Sequence, residues 1–98
     1  MLLDDVKATL LIKSNNFDSQ LELLIEAGKK DLEVAGIDPI AISEDDPLIR
    51  RAIITYCTLY FGMPYEESSS RKSLYVNLKA SYDEQKAQLS MHTGHTVW

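Results

Sequence analysis

A chain of 98 residues has room for one domain around one core, and at 45% hydrophobic and 26% charged residues it has the composition of a folding sequence. Its formal net charge of −5 opposes tight binding to a phosphate backbone, which needs a basic patch to displace condensed counterions. The single cysteine, Cys57, excludes an intramolecular disulfide and a cysteine-rich zinc site.

The first predicted helix covers residues 3 to 11, where Leu3, Val6, Leu10 and Leu11 recur at helical spacing behind the capping candidates Asp4 and Asp5. Ser14, Asn15 and Asn16 then compete for backbone hydrogen bonds and break the pattern, with Asn16 able to cap the next helix. That second helix, over residues 17 to 35, places Phe17, Leu21, Leu24, Ile25, Gly28, Leu32 and Ala35 on one face. Asp18 and Glu22 suit the positive end of its macrodipole, and Gly36 is the expected left-handed residue past its end. Residues 37 to 46 read as a loop holding Pro39, Ser43 and three consecutive acids, Glu44, Asp45 and Asp46.

A third helix starts at Pro47, because proline's missing donor is harmless in the first turn, and Asp46 is its cap. Ile49, Ala52, Ile53, Tyr56, Cys57 and Tyr60 make a broad apolar face, Leu59 and Phe61 extend it nearly all round, and Gly62 and Pro64 stop the helix after residue 61. The fourth, over residues 68 to 89, turns Leu74, Tyr75, Leu78, Tyr82 and Leu89 inward and Lys79, Asp83 and Lys86 outward. Residues 91–98 have Gly94, two threonines and no helical period, and read as an extended tail. The expected fold class is all-α: a small bundle of about four helices over residues 1–90 with that C-terminal tail. Its core holds Leu21, Leu24, Ile25, Ile53, Tyr56, Leu74 and Leu78.

No constellation of nucleophile, base and oxyanion donors is present, so no enzyme and no cofactor is expected. His92 and His95 stand three apart without a cysteine or a later carboxylate to complete a metal site. Cys57 sits in an apolar face with no histidine to activate it, and reads as core packing. Glu44, Asp45 and Asp46 lack calcium-loop spacing and read as a solvated loop plus a helix cap. Arg50, Arg51, Arg71 and Lys72 stand near helix starts beside acids, and are expected to make salt bridges within the bundle or to an adjacent subunit. No basic-then-apolar leader and no run of about 20 apolar residues occurs, so the reading is a cytosolic product without membrane span.

Taken in order, Val6-Lys7-x-x-Leu10, Phe17-Asp18 leading into Leu21-x-x-Leu24-Ile25-Glu26-Ala27, Ile49-Arg50-Arg51-Ala52-Ile53-Ile54 running to Tyr60-Phe61-Gly62, and Tyr82-x-x-x-Lys86-x-x-Leu89-Ser90 resemble the head–tail connector, or adaptor, family of tailed double-stranded-DNA phages, whose members are also described as head-completion or DNA-packaging proteins. The likeness covers residues 3 to 90. Gly28 stands where the family tends to alanine, and Gly62-Met63-Pro64 replaces a charged turn.

The resemblance implies a structural subunit of the virion neck that is made in the bacterial host cytoplasm. It forms a homo-oligomeric ring below the portal protein, extends the DNA channel without binding DNA specifically, and docks a downstream neck or tail-completion protein. In that setting Glu44, Asp45 and Asp46 become a candidate channel or subunit-contact loop. Val97 and Trp98 become a candidate partner-docking tail, against the alternatives of a tail folded back on its own helix or a disordered end. Arg50, Arg51, Arg71 and Lys72 become candidate inter-subunit salt bridges. The rival function is a small helical protein-interaction or DNA-binding regulatory module, which needs no ring, or needs a basic recognition helix.

Overall fold

The computed structural model describes residues 2–61 and 69–92, with side chains over 2–61 and 76–91. These residues form four α-helices, α1 (Leu2–Leu10), α2 (Asp18–Val34), α3 (Pro47–Tyr60) and α4 (Ser69–His92), and a 3-10 turn at Pro39–Ala41, with no strand among them. They make an all-α bundle, and the helix bounds fall close to the periodicities in the sequence. Met91 and His92 are an exception: they continue α4 where the sequence reads as extended. Residues 93–98, including Val97 and Trp98, lie outside the described residues.

Cross-helix contacts set the directions. Phe17 and Phe61 meet edge-on at 5.5 Å, and Gly28 lies beneath Ile53 and Tyr56, so α2 and α3 are antiparallel. Arg51 reaches Gln88 while Tyr56 meets Tyr82, so α3 and α4 are antiparallel too. Helices α2 and α4 therefore run in the same sense, both packed against α3.

Helix α3 is the centre because it is apolar on most of its circumference: Ile49, Ala52, Ile53, Cys57 and Leu59 are all buried. Around it close Leu2 and Val6 of α1, Leu21, Ile25 and Leu32 of α2, and Tyr82 and Leu89 of α4. Leu24, Tyr56 and Leu78, expected at the centre, are partly buried at its edge, and the Leu74 side chain lies outside the described ones. Tyr60 and Ala35, expected on apolar faces, stand at the surface. A Cβ added to Gly28 would come 3.2 Å from the Tyr56 ring, itself flanked by Tyr60 and Tyr82, so a side chain there would crowd the α2–α3 contact.

The caps divide into those that local chemistry supplies and one that it does not. Asp46 accepts a hydrogen bond from the Leu48 amide at 2.9 Å and Pro47 opens α3, as its position demands. At the start of α2 the N-cap is Phe17, with no side-chain bond, and not Asn16. Lys7 ties that end down instead, donating to Asn15 Oδ1 at 2.8 Å and lying 2.9 Å from Asp18 Oδ1 in an ion pair.

Gly36 (φ 102°) ends α2 as expected: its amide donates to Glu33 O, and that of Ile37 to Leu32 O. The fold buries Ile37 against the core although it comes after the helix end. Helix α1 ends in the same way, but with Leu11 (φ 60°) in the glycine position and 85% exposed, so Leu11 is not on the apolar face that its spacing suggests. Leu11→Gly is expected to raise stability by about 1 kcal/mol, since it relieves a left-handed leucine and removes no packing. Thermal melting measures it, and an unchanged or lower midpoint would show that Leu11 is unstrained.

Candidate functional site

Helix α2 meets α4 at the carboxylate of Asp31. Its Oδ2 accepts from Tyr82 Oη at 2.6 Å and from Lys86 Nζ at 3.2 Å, and the Lys86 ammonium also lies 4.7 Å from the centre of the Tyr82 ring. Lys86, expected outward, is instead folded over Tyr82 with its side chain 21% exposed. Burial first, and the bond to Asp31 second, raise the Tyr82 hydroxyl above the ordinary tyrosine value, and burial does the same to Tyr56. Nothing in the periodicity marks Asp31. Only its position one residue before Leu32, at the flank of the apolar stripe, hints that it touches a neighbour.

Asp31→Ala would strand a buried hydroxyl and a half-buried ammonium, so it is expected to lower stability by about 1–3 kcal/mol. Glu84→Ala, on the exposed face of α4, should stay within about 0.5 kcal/mol. Urea unfolding compares the two, and equal losses would remove Asp31 as the fastening between α2 and α4.

The three consecutive acids do different things. Glu44 pairs with Lys29 at 2.8 Å, a bond that lifts the Lys29 ammonium above its ordinary value, and Asp46 caps α3. Asp45 remains exposed, its amide bound to Ser43 Oγ. Arg50 pairs inside the chain with Asp5, and Arg51 donates to Gln88 Oε1 at 3.3 Å. Leu2, Glu44, Asp45 and Arg50 thus border one shallow concavity of about 330 Å³. Its charges are mixed and solvated, and no general acid, base and nucleophile converge there. Arg71 and Lys72 lie in the first turn of α4, a helix away from Arg50, and their side chains fall outside the described ones.

Cys57 is fully buried in α3, and burial pushes its thiol up to about 12, which leaves it neutral and unreactive as the apolar face suggests. Among the described residues no three of His, Cys, Asp or Glu gather as metal ligands, and no helix is long and apolar enough to cross a membrane.

What the bundle does present is apolar surface pointing away from its core. On α2, Leu23 is 71% exposed and Val34 78%; on α4, Val76 is 61% exposed and Met91 83%. Ala80 and Ala87 lie in line between the last two. These positions are out of phase with the core stripes, and a second helical period opposite the first is the signal that would have found them. A surface of this kind suits assembly better than catalysis.

A family model described as "Phage connector protein" matches residues 2–96. No curated protein and no solved structure matches the chain.

Proposed function

Because the chain belongs to the phage connector protein family, we propose that it is a head–tail connector subunit of a tailed phage or prophage, closing into a homo-oligomeric ring below the portal protein. There it extends the DNA channel and docks the next neck or tail-completion component, in the virion neck, after synthesis in the host cytoplasm. The observation that carries this reading is the family match over nearly the whole chain. The formal charge of −5 supports a wall that lets DNA pass without holding it, since a net negative charge repels phosphates. The role is mechanical and asks for no cofactor.

Within this reading, the loop of residues 37 to 46 faces the channel or a neighbour. Asp45 is the acid left to act there, because Glu44 and Asp46 have partners inside the chain. Asp45→Lys is expected to leave melting unchanged and to slow DNA retention or passage in assembled particles; unchanged infectivity counts against a channel role. Val97 and Trp98 are proposed to dock on the portal or an adjacent subunit, tryptophan being a frequent interface anchor.

The test of the function as a whole is to mix the purified protein with portal rings of the same phage and follow co-sedimentation and electron microscopy. A second ring stacked on the portal is expected. Absence of both binding and ring would overturn the connector assignment in favour of a free interaction module.

A further inference from the structure

Helices α2 and α4 carry outward faces with the same residue pattern. On α2 the stripe opposite the core reads Leu23, Ala27, Lys30, Val34; on α4 it reads Val76, Ala80, Asp83, Ala87, continuing to Met91. Both advance by four, three and four residues, the alternation of a coiled-coil seam, and both span about 16 Å at 1.5 Å per residue. Each is apolar at its ends, has alanine at its second place and has one charge at its third, positive on α2 and negative on α4. Lys30 and Asp83 are both largely exposed, paired with Glu33 on one helix and with Lys79 and Lys86 on the other.

Their relation within the chain fits them to each other between copies. Helices α2 and α4 run in the same sense, and a rotation about an axis along the bundle preserves that sense and the height of every residue. Asp31 bonds Tyr82 and Lys86, so the stretch of α2 around Asp31 lies alongside residues 82 to 86 of α4, and Lys30 and Asp83 stand at similar heights. The register at which the two seams match is therefore close to the one that pure rotation imposes, as a closed ring requires.

We propose that the outward face of α2 packs in parallel against the outward face of α4 of a second copy, with Leu23 beside Val76, Ala27 beside Ala80, Lys30 beside Asp83 and Val34 beside Ala87. The proposal rests on the ring reading above and names its subunit contact. The contact is heterologous: each copy uses its α2 face on one side and its α4 face on the other. The paired alanines let the helix axes approach closely, and Lys30 against Asp83 selects the register over a slipped or antiparallel one.

Cysteine cross-linking tests it. Ala27→Cys and Ala80→Cys change small residues at or near the surface, and the native Cys57 is buried. Protein that sedimentation shows to be oligomeric, alone or on portal rings, is oxidised with oxidised glutathione and run on a denaturing gel. The chain with both substitutions is expected to give a ladder of covalent dimers, trimers and higher species, and each single variant none. Lys30→Glu is expected to weaken association roughly two- to five-fold, the size of one exposed ion pair, and Lys30→Glu with Asp83→Lys to recover it. Oligomers without a ladder overturn this contact and leave the ring standing; dimers from a single variant overturn it in favour of a two-fold contact. A chain that stays monomeric, both concentrated and with portal, overturns the ring reading itself.

Discussion

Ile53→Ala is expected to destabilise the bundle by about 2–5 kcal/mol, the cost of removing a buried branched side chain and leaving a cavity. Ile53 is 0% exposed in the middle of α3, with its Cγ2 against Gly28 of α2. The backbone of α2 cannot move in to fill the gap, because the Tyr56 ring already bears on the same glycine. A loss of that size is a large fraction of the roughly 5–15 kcal/mol that holds a typical domain together. Urea unfolding of Ile53→Ala beside Glu84→Ala measures it. Equal midpoints would mean that α3 is not the centre of the core. Lys86→Ala is no substitute for the exposed control, since Lys86 closes over Tyr82 and bonds Asp31.

Raising the pH should destabilise the protein from about pH 9 upward. The thiol of Cys57 is pushed from 9.0 to about 12, and the hydroxyls of Tyr56 and Tyr82 are raised above their ordinary 10.0, in each case first by burial. The folded state thus keeps protons that the unfolded chain gives up, so the contribution of these groups to stability is constant below the unfolded values and falls as pH rises through them. Each such group contributes up to about 1.4 kcal/mol per pH unit. Cys57 begins alone above pH 9, and the tyrosines join above pH 10. Lys29, raised by its bond to Glu44, has the same sign above 10.5. Chemical unfolding at fixed pH values between 8 and 11 reads the slope directly. Cys57→Ala should abolish the fall between pH 9 and 10, and an unaltered slope in that variant would show that the thiol is not the group responsible.

Much of the fold is legible in the sequence because helices are written locally. Pro47 after Asp46 marks the start of α3, Gly36 marks the end of α2, and the spacing of Leu21, Ile25, Gly28 and Leu32 names the face that is buried; each depends only on residues within a turn or two. Family membership was legible as a resemblance over residues 3 to 90, and the family model matches residues 2–96.

The misreadings occur where a second element intervenes. Lys86 has a charged residue's place on the polar side of α4, yet Asp31 and the Tyr82 ring draw it in. Leu11 has an apolar residue's spacing, but the chain must turn there and leaves it in solvent. Ile37 comes after a helix stop and is nevertheless buried, because the turn directs it back toward Leu32.

By itself, then, the sequence determined the all-helical class and the centrality of α3, which rest on hydrophobic period and local capping, and the kinship, which rests on likeness to a known family. Only the tertiary structure decided which charges are partnered, which apolar residues face outward, and that α2 and α4 run parallel with Asp31 beside Tyr82 and Lys86. Those depend on how helices separated by tens of residues come together, and a periodicity along one helix carries no information about its height against another.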